Sequence, residues 1–435
     1  MSGDRHMQKW LPPGLGRRGF DPAKPRVLFI GETAALSHVA RPALLSAHLA
    51  DCGYSVCFAR DPRYNHLFQT PENVLQVDLN SMPNSTVLQR VRDNEPIFSE
   101  EILEEYIQVD IKLMREFQPD IVVGDSRFSL IASSQLAGVP FVTIIDAHWS
   151  PWVDTQFEPV DSPVSRIIGA PLSDMIFHFM HPIAFAMHTI PINAVLRKYR
   201  LPEIRPAIQA YFSCGDYAVY PNDPGLYRLR KPLPPEHAFI GPPQWSPQVP
   251  KPSWWDNLPA DKPVVYVSLG STGEPKLLDA LFRVLGELPI SVIAATAARE
   301  SPSQLPGNIF LAEFIPGLEA ARRSRFVVCN GGAMSGQQAV SAGVPYLGLI
   351  SNLDQMLYSR AVRQAGACEL MRESEVSEAS LRPIVQALLT EERYRRAAQK
   401  IAARTALQDC CVAFEQFMGR VLRGRTLTRA TVGAR

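Results

Sequence analysis

The chain reads as an α/β protein built from two doubly wound, Rossmann-like units. Three observations predict this class. Short apolar runs alternate with amphipathic helical segments in both halves, the pattern of a parallel sheet with crossover helices. A proline-rich stretch separates the halves, with ten of the chain's 38 prolines between residues 232 and 263. At 435 residues the chain is also long enough for two or three domains.

Each element follows in order. RVLFI (Arg26–Ile30) is the first strand, followed by the loop GETAALSHVA and a helix over Pro42–Cys52 that stops at Gly53. The strand SVCFA, an amphipathic helix over Glu101–Phe117, the strand DIVVG, a helix near Leu130–Ala137 and the strand PFVTII complete the pattern. The second unit starts near Lys262 with VVYVSL and the loop GSTGEP. Strands SVIAAT, NIFLA, FVVC and PYLGLI follow, with helices expected from about Met334 and about Asp354. Helical periodicity runs to about Leu422, and a basic tail then reads as solvated and disordered. The expected division is an N-terminal extension (1–24), a first unit (25–245), a second unit with the C-terminal helices (246–422) and the tail (423–435).

Composition excludes several classes. Apolar residues make up 46% and charged residues 20%, so a large core can be buried and general disorder is excluded. Lys and Arg number 44 against 43 Asp and Glu, a net charge of +1, so global electrostatics will not draw the chain onto nucleic acid. Seven scattered cysteines without a CxxC pair support neither a zinc ribbon nor a disulfide framework, and they read as reduced cytosolic thiols. The N-terminus lacks the apolar core of a signal peptide. The most apolar stretch, Ile167 to Leu196, is interrupted by Asp174, His178, His181, Pro182, His188 and Pro191, so no membrane-crossing helix is expected. A cytoplasmic location is the expectation from these features.

The segment from Phe314 to Gly366 carries the chemistry. Strand FVVC ends in Asn330-Gly331-Gly332, and a helix follows. Glycines before a helix let the backbone approach a ligand, and the helix N-terminus offers unpaired N–H groups suited to phosphate. Ser335 adds a hydroxyl. Counting from Asn330, Gly332 lies at +2, Ser335 at +5, Gln338 at +8, Gly343-Val344-Pro345 at +13 to +15, and Asp354-Gln355 at +24 and +25.

This spacing resembles the donor-binding signature of the UDP-glycosyltransferase superfamily. The resemblance implies a GT-B fold, two Rossmann-like domains facing across a cleft, the second holding a nucleotide-sugar and the first an acceptor. It further implies that Gly331, Gly332 and Ser335 bind the diphosphate, that Asp354 and Gln355 bond the donor sugar, and that Phe314 and Ile315 lie beside the base. Ser271, in SLGST, would border the diphosphate. Three positions depart from the family pattern: Asn330 replaces its His, Gln338 the Glu that grips the ribose, and Gly317 a frequent Gln. These departures leave the nucleotide base open.

Family members carry a general-base His in the loop after the first strand, and His38 matches that place. Asp125, at the end of DIVVGD, would orient it, as a triad Asp does. Asp146 and His148, after PFVTII, read as acceptor-pocket residues. Phe177, His178 and His181, in the apolar stretch, read as an acceptor wall; that stretch suits an apolar acceptor or contact with a membrane surface. No DxD pair occurs, so neither a metal nor another cofactor is expected. The expected activity is inverting, metal-independent transfer of a sugar to a hydroxyl of a small hydrophobic acceptor. Two alternatives stay open: a lipid-linked sugar transferase on the same fold, and a non-catalytic homologue acting as an auxiliary binding partner. The oligomeric state is not legible.

Overall fold

A computed structural model describes residues 23–161, 167–270, 277–297 and 305–432. The expected extension therefore lies almost wholly outside the described residues, as do Ser271 and most of the loop GSTGEP. The first unit runs β1 (Arg26–Gly31), α1 (Ser37–Asp51), β2 (Ser55–Arg60), β3 (Val74–Asp78), α2 (Asn84–Arg92), α3 (Glu100–Phe117), β4 (Ile121–Asp125), α4 (Leu130–Ala137) and β5 (Phe141–Ile144). It continues with α5 (Ala170–Met187), α6 (Ile190–Lys198), α7 (Ile208–Phe212), β6 (Tyr217–Tyr220) and β7 (His237–Phe239). The second comprises β8 (Val264–Ser268), α8 (Leu277–Gly286), β9 (Ser291–Ala295), β10 (Ile309–Ala312), α9 (Gly317–Arg323), β11 (Phe326–Cys329) and α10 (Ala333–Ser341). It ends with β12 (Tyr346–Ile350), α11 (Leu353–Gln364), β13 (Cys368–Arg372), α12 (Glu378–Thr390), α13 (Glu392–Thr405) and α14 (Cys410–Val432).

Both sheets are parallel and follow one winding rule. The first has the order β3-β2-β1-β4-β5-β6-β7, the second β10-β9-β8-β11-β12-β13. Each reverses direction once, between β1 and β4 and between β8 and β11. Ligands of open α/β sheets bind beyond the carboxyl ends of the strands at such reversals. The central strands are buried on both faces, which is why they read as continuous apolar runs such as VLFI and IVV. Strands β3, β7 and β13 lie at sheet edges and are only partly buried; they escaped the sequence reading because edge strands carry polar residues and lack such a run, and the internal β6, only four residues long, was missed as well.

Two boundaries differ from expectation. Helix α1 begins at Ser37, five residues before Pro42, and takes Pro42 inside. The proline withholds the amide that would bond the His38 carbonyl. That carbonyl lies where a side chain on Gly31 would start, 2.8 Å from an ideal Cβ. At the other end, helix α14 continues to Val432, so the residues from 423 to 432 prolong the helix instead of forming a separate tail. Helix α14 packs on the first unit. Phe414, Phe417, Met418 and Val421 join the core of the first sheet with Val27, Phe29 and Phe58. The chain thus returns across the cleft, and Arg404 ion-pairs with Asp223 of the first unit just before it does so.

Candidate active site

The two sheet reversals face one cavity of about 870 Å³. On the first side, β1 and β4 are in register at Gly31 and Asp125, so the loop after β1 and the end of β4 meet. His38 sits in the first turn of α1, a quarter exposed, with Nδ1 2.8 Å from Asp125 Oδ1. Ser126 Oγ lies 3.1 Å from the same nitrogen. One turn on, Arg41 is buried and grips Asp125 with two bonds, Nε to Oδ2 at 2.8 Å and Nη2 to Oδ1 at 2.9 Å. Its Nη1 donates to Asp146 Oδ2 at 2.7 Å, and Nη2 lies 3.0 Å from His38 Nδ1.

These charges explain the ionisation of the cluster. Burial pushes the Asp125 carboxyl up, but Arg41 and His38 outweigh it and hold it below the ordinary carboxylate range. Burial lowers the Arg41 guanidinium, and the two carboxylates more than restore it, so it stays charged. Arg41 was not singled out in the sequence. The signal was its position, three residues after His38 on the same helix face. A second buried ion cluster was also missed: Arg127 joins Asp110, at 3.0 Å, to Glu32, at 3.1 Å, and Glu32 lines the cavity. Burial raises Glu32 above the ordinary range despite Arg127.

On the second side, α10 points its N-terminus at the cavity, which Gly332, Ala333 and Ser335 line. Asn330 Oδ1 accepts from Gly332 N at 3.1 Å and Ser335 Oγ at 2.8 Å, so Asn330 shapes the turn. Gly331 has φ +71°, and a Cβ there would lie 2.4 Å from Ile350 Cδ1. Its glycine is demanded by packing against β12; it does not line the cavity. Gly332 has no such conflict, its nearest neighbour being Asn330 Oδ1 at 3.4 Å. Gln338 Nε2 donates to the Trp245 carbonyl at 2.7 Å, while a Cβ on residue 317 would lie 2.8 Å from Gln338 Oε1. Two of the family departures, Gln338 and Gly317, thus fit one another. Phe314, Ile315 and Gln355 also line the cavity; Gln355 is buried, with Oε1 accepting from Ser351 N at 2.8 Å. Phe314 meets His66 edge to face, with centroids 5.6 Å apart.

The two sides touch at Asp354. Its Oδ1 is bonded by His148 Nε2 at 2.9 Å and accepts from Trp149 Nε1 at 2.7 Å, both from the first unit. Desolvation opposes ionisation there, but these bonds draw the carboxyl down to about 2.

The acceptor assignments need correction. His148 is buried behind Asp354 and does not line the cavity, because it serves the second unit's carboxylate. Asp146 lines it, yet both its oxygens are occupied, by Arg41 and by Asn222 Nδ2 at 2.8 Å. His178 is exposed on the outer side of α5. Phe177 and His181 do line the cavity, stacked with centroids 5.2 Å apart. Away from the cavity, His48, Cys52 and Glu415 offer potential metal-ligand atoms within 4.8 Å of one another.

Comparison with known proteins settles the family. A PGL/p-HBAD biosynthesis glycosyltransferase of Mycobacterium tuberculosis is 38% identical over 379 residues, 87% of this chain and 88% of the relative. The chain belongs to the UDP-glycosyltransferase superfamily. This glycosyltransferase also matches, over residues 275–414, the model of the erythromycin biosynthesis protein CIII-like C-terminal domain. A PGL/p-HBAD biosynthesis rhamnosyltransferase of Mycobacterium bovis is 37% identical over 90% of this chain and 85% of its own length. A relative from the same species named as an inactive PGL/p-HBAD biosynthesis glycosyltransferase is 34% identical over 74% of this chain and 86% of its own. Among solved structures, a spinosyn rhamnosyltransferase complexed with thymidine diphosphate matches the GT-B fold with TM-score 0.64 and 18% identity, over 90% of this chain and all of that one.

Proposed function

We propose that this glycosyltransferase moves a sugar, with inversion, from a nucleotide-diphosphate sugar to a hydroxyl of a hydrophobic natural-product or lipid acceptor, His38 acting as general base. One observation carries the reading. The His38–Asp125 pair and the N-terminus of α10 face each other across a single cavity, each at the reversal of its own sheet. With Nδ1 held by Asp125, His38 presents Nε2 to the acceptor. It takes the hydroxyl proton as the oxygen attacks the anomeric carbon, and the bond from that carbon to the diphosphate oxygen breaks. Asp125 and Asp146 against Arg41 leave one unneutralised negative charge, which favours the imidazolium that forms. The departing diphosphate is held by backbone N–H groups of the first turn of α10, at Ala333 and Met334, and by the helix dipole, without a metal. Asp354 and Gln355 hold the sugar, Phe314 and Ile315 the base.

The relatives named for rhamnosyl transfer and the neighbour complexed with thymidine diphosphate suggest a thymidine-linked deoxysugar as the first donor to try. Transfer to an aromatic or long-chain alcohol, read by mass spectrometry, should fall by about 10²–10⁴ in kcat for His38→Ala, with donor KM little changed. Proton NMR of the product should show the anomeric configuration opposite to the donor's; retention would rule out the mechanism. A second reading, a donor-binding homologue without turnover, is favoured by the inactive relative and by the internal bonds of Asn330 and Gln338. Saturable donor binding with no turnover on any acceptor would select it.

A further inference from the structure

Among the described residues, ten of the fifteen exposed large apolar side chains lie between Ile167 and Ile190. On α5 they are Leu172, Met175, Ile176, Phe179, Met180, Ile183 and Met187, the spacing of one helix face. Phe179 is 78% exposed and Ile183 58%. The helix has one formally charged residue, Asp174, and it is turned to Arg372 of β13 at 3.0 and 3.1 Å. The outer face therefore carries apolar side chains, one imidazole (His178) and no Asp, Glu, Lys or Arg.

The same helix lines the cavity with Ser173, Phe177, His181 and Phe185 on its inner side. Ile176 and Met180 belong to both surfaces, being exposed and cavity-lining at once. Ile176 and Met180 thus join the outer apolar face to the chamber that holds His38. The stretch Pro171–Lys198 is long and apolar enough to cross a membrane by length and composition. Its second half is already committed, however. Ile192, Val195 and Leu196 of α6 are buried in the first unit's core, and Asn193 is bonded to Ile204 in both directions at 3.0 and 2.9 Å. A helix tied down in this way can lie on a bilayer but not pass through it.

We propose that α5 seats the protein on a lipid bilayer, its axis in the interface plane, and that a lipid-borne acceptor reaches the cavity past Ile176 and Met180. The proposal rests on the hydrophobic-acceptor reading above and names where such an acceptor comes from. An uncharged face matches hydrocarbon better than an acidic or basic peptide. A second copy of the chain seated there would cover Ile176 and Met180 and shut the entrance they form.

The test floats the full chain on phosphatidylcholine vesicles in a density gradient. The wild type should rise with the vesicles, in high salt as in low, because the contact is apolar. Phe179→Gln with Ile183→Gln should lower the bound fraction at least about tenfold, since both side chains are large and apolar. Neither residue lines the cavity, so thermal melting and transfer to a water-soluble short-chain acceptor should be unchanged, while transfer to a vesicle-embedded acceptor falls. Failure of the wild type to float overturns the proposal. So does a wild-type dimer in sedimentation that the double variant dissolves, which would make this face a self-interface. Vesicle binding without transfer to any acceptor would leave this surface standing and sink the proposed activity; transfer to soluble acceptors without vesicle binding would do the reverse.

Discussion

Arg41 organises the acceptor side at the scale of single residues. It is buried between two carboxylates, and removing it would leave both without their main partner. Arg41→Met should destabilise the fold by about 3–5 kcal/mol, the usual penalty for breaking a buried ion pair from one side, measurable by urea unfolding. Asp125 sets a pH dependence whose sign follows from its lowered value. Its ionised form stabilises the native state above the unfolded carboxylate value of about 4 and loses that contribution as pH falls through the lower folded value. Asp125→Asn should therefore flatten the acid limb of a plot of melting temperature against pH. An acid limb as steep as the wild type's would show that other carboxylates govern it. His38 and Asp125 were legible through the family resemblance, which expects a His after the first strand and a carboxylate at the end of a later one. Arg41 and Glu32 were not, since an Arg in a helix or a Glu in a loop looks like a solvated surface group until the fold buries it.

At the scale of elements, the turn between β11 and α10 assigns different duties to adjacent glycines. Gly331 combines a positive φ with a Cβ position already filled by Ile350 and Ser359. Gly331→Ala should cost about 1–3 kcal/mol from overpacking alone, read as a lower melting temperature. Gly332 has ordinary φ, and a Cβ there would meet Asn330 only at contact distance. Gly332→Ala should keep the wild-type melting temperature yet raise donor KM, because its methyl group enters the proposed diphosphate cradle. Equal effects on stability at both sites would contradict this division. The sequence motif marks both glycines alike; only the position of β12 separates a packing glycine from a ligand-facing one. Helix α1 teaches a similar lesson. Pro42 marks a helix start by local rules, yet the helix begins at Ser37, and the His38 carbonyl, to which Pro42 has no amide to offer, lies against Gly31.

Across the whole molecule, the cleft is closed by groups that serve the opposite unit. His148 and Trp149 come from the first unit and bond one oxygen of Asp354 in the second. Together they tie the first unit to the carboxylate proposed to hold the sugar. His148→Ala with Trp149→Phe should raise donor KM about tenfold, two hydrogen bonds at about 0.5–1.5 kcal/mol each, and leave the acceptor KM nearly unchanged. An unchanged donor KM would detach this contact from donor binding. Helix α14 adds a second tie, placing Phe414 and Phe417 in the core of the first sheet.

By itself the sequence determined the two doubly wound units and the central strands, which rest on local periodicity, and the donor-side motif, which rests on fixed spacing; the His38–Asp125 pair was expected from the family resemblance. The tertiary structure alone decided which unit claims the last helix, that His148 faces Asp354 instead of an acceptor, and that Asp146 is spent on Arg41. Such partnerships join residues far apart in the chain, and burial and distance exist only once the two sheets have closed on one another.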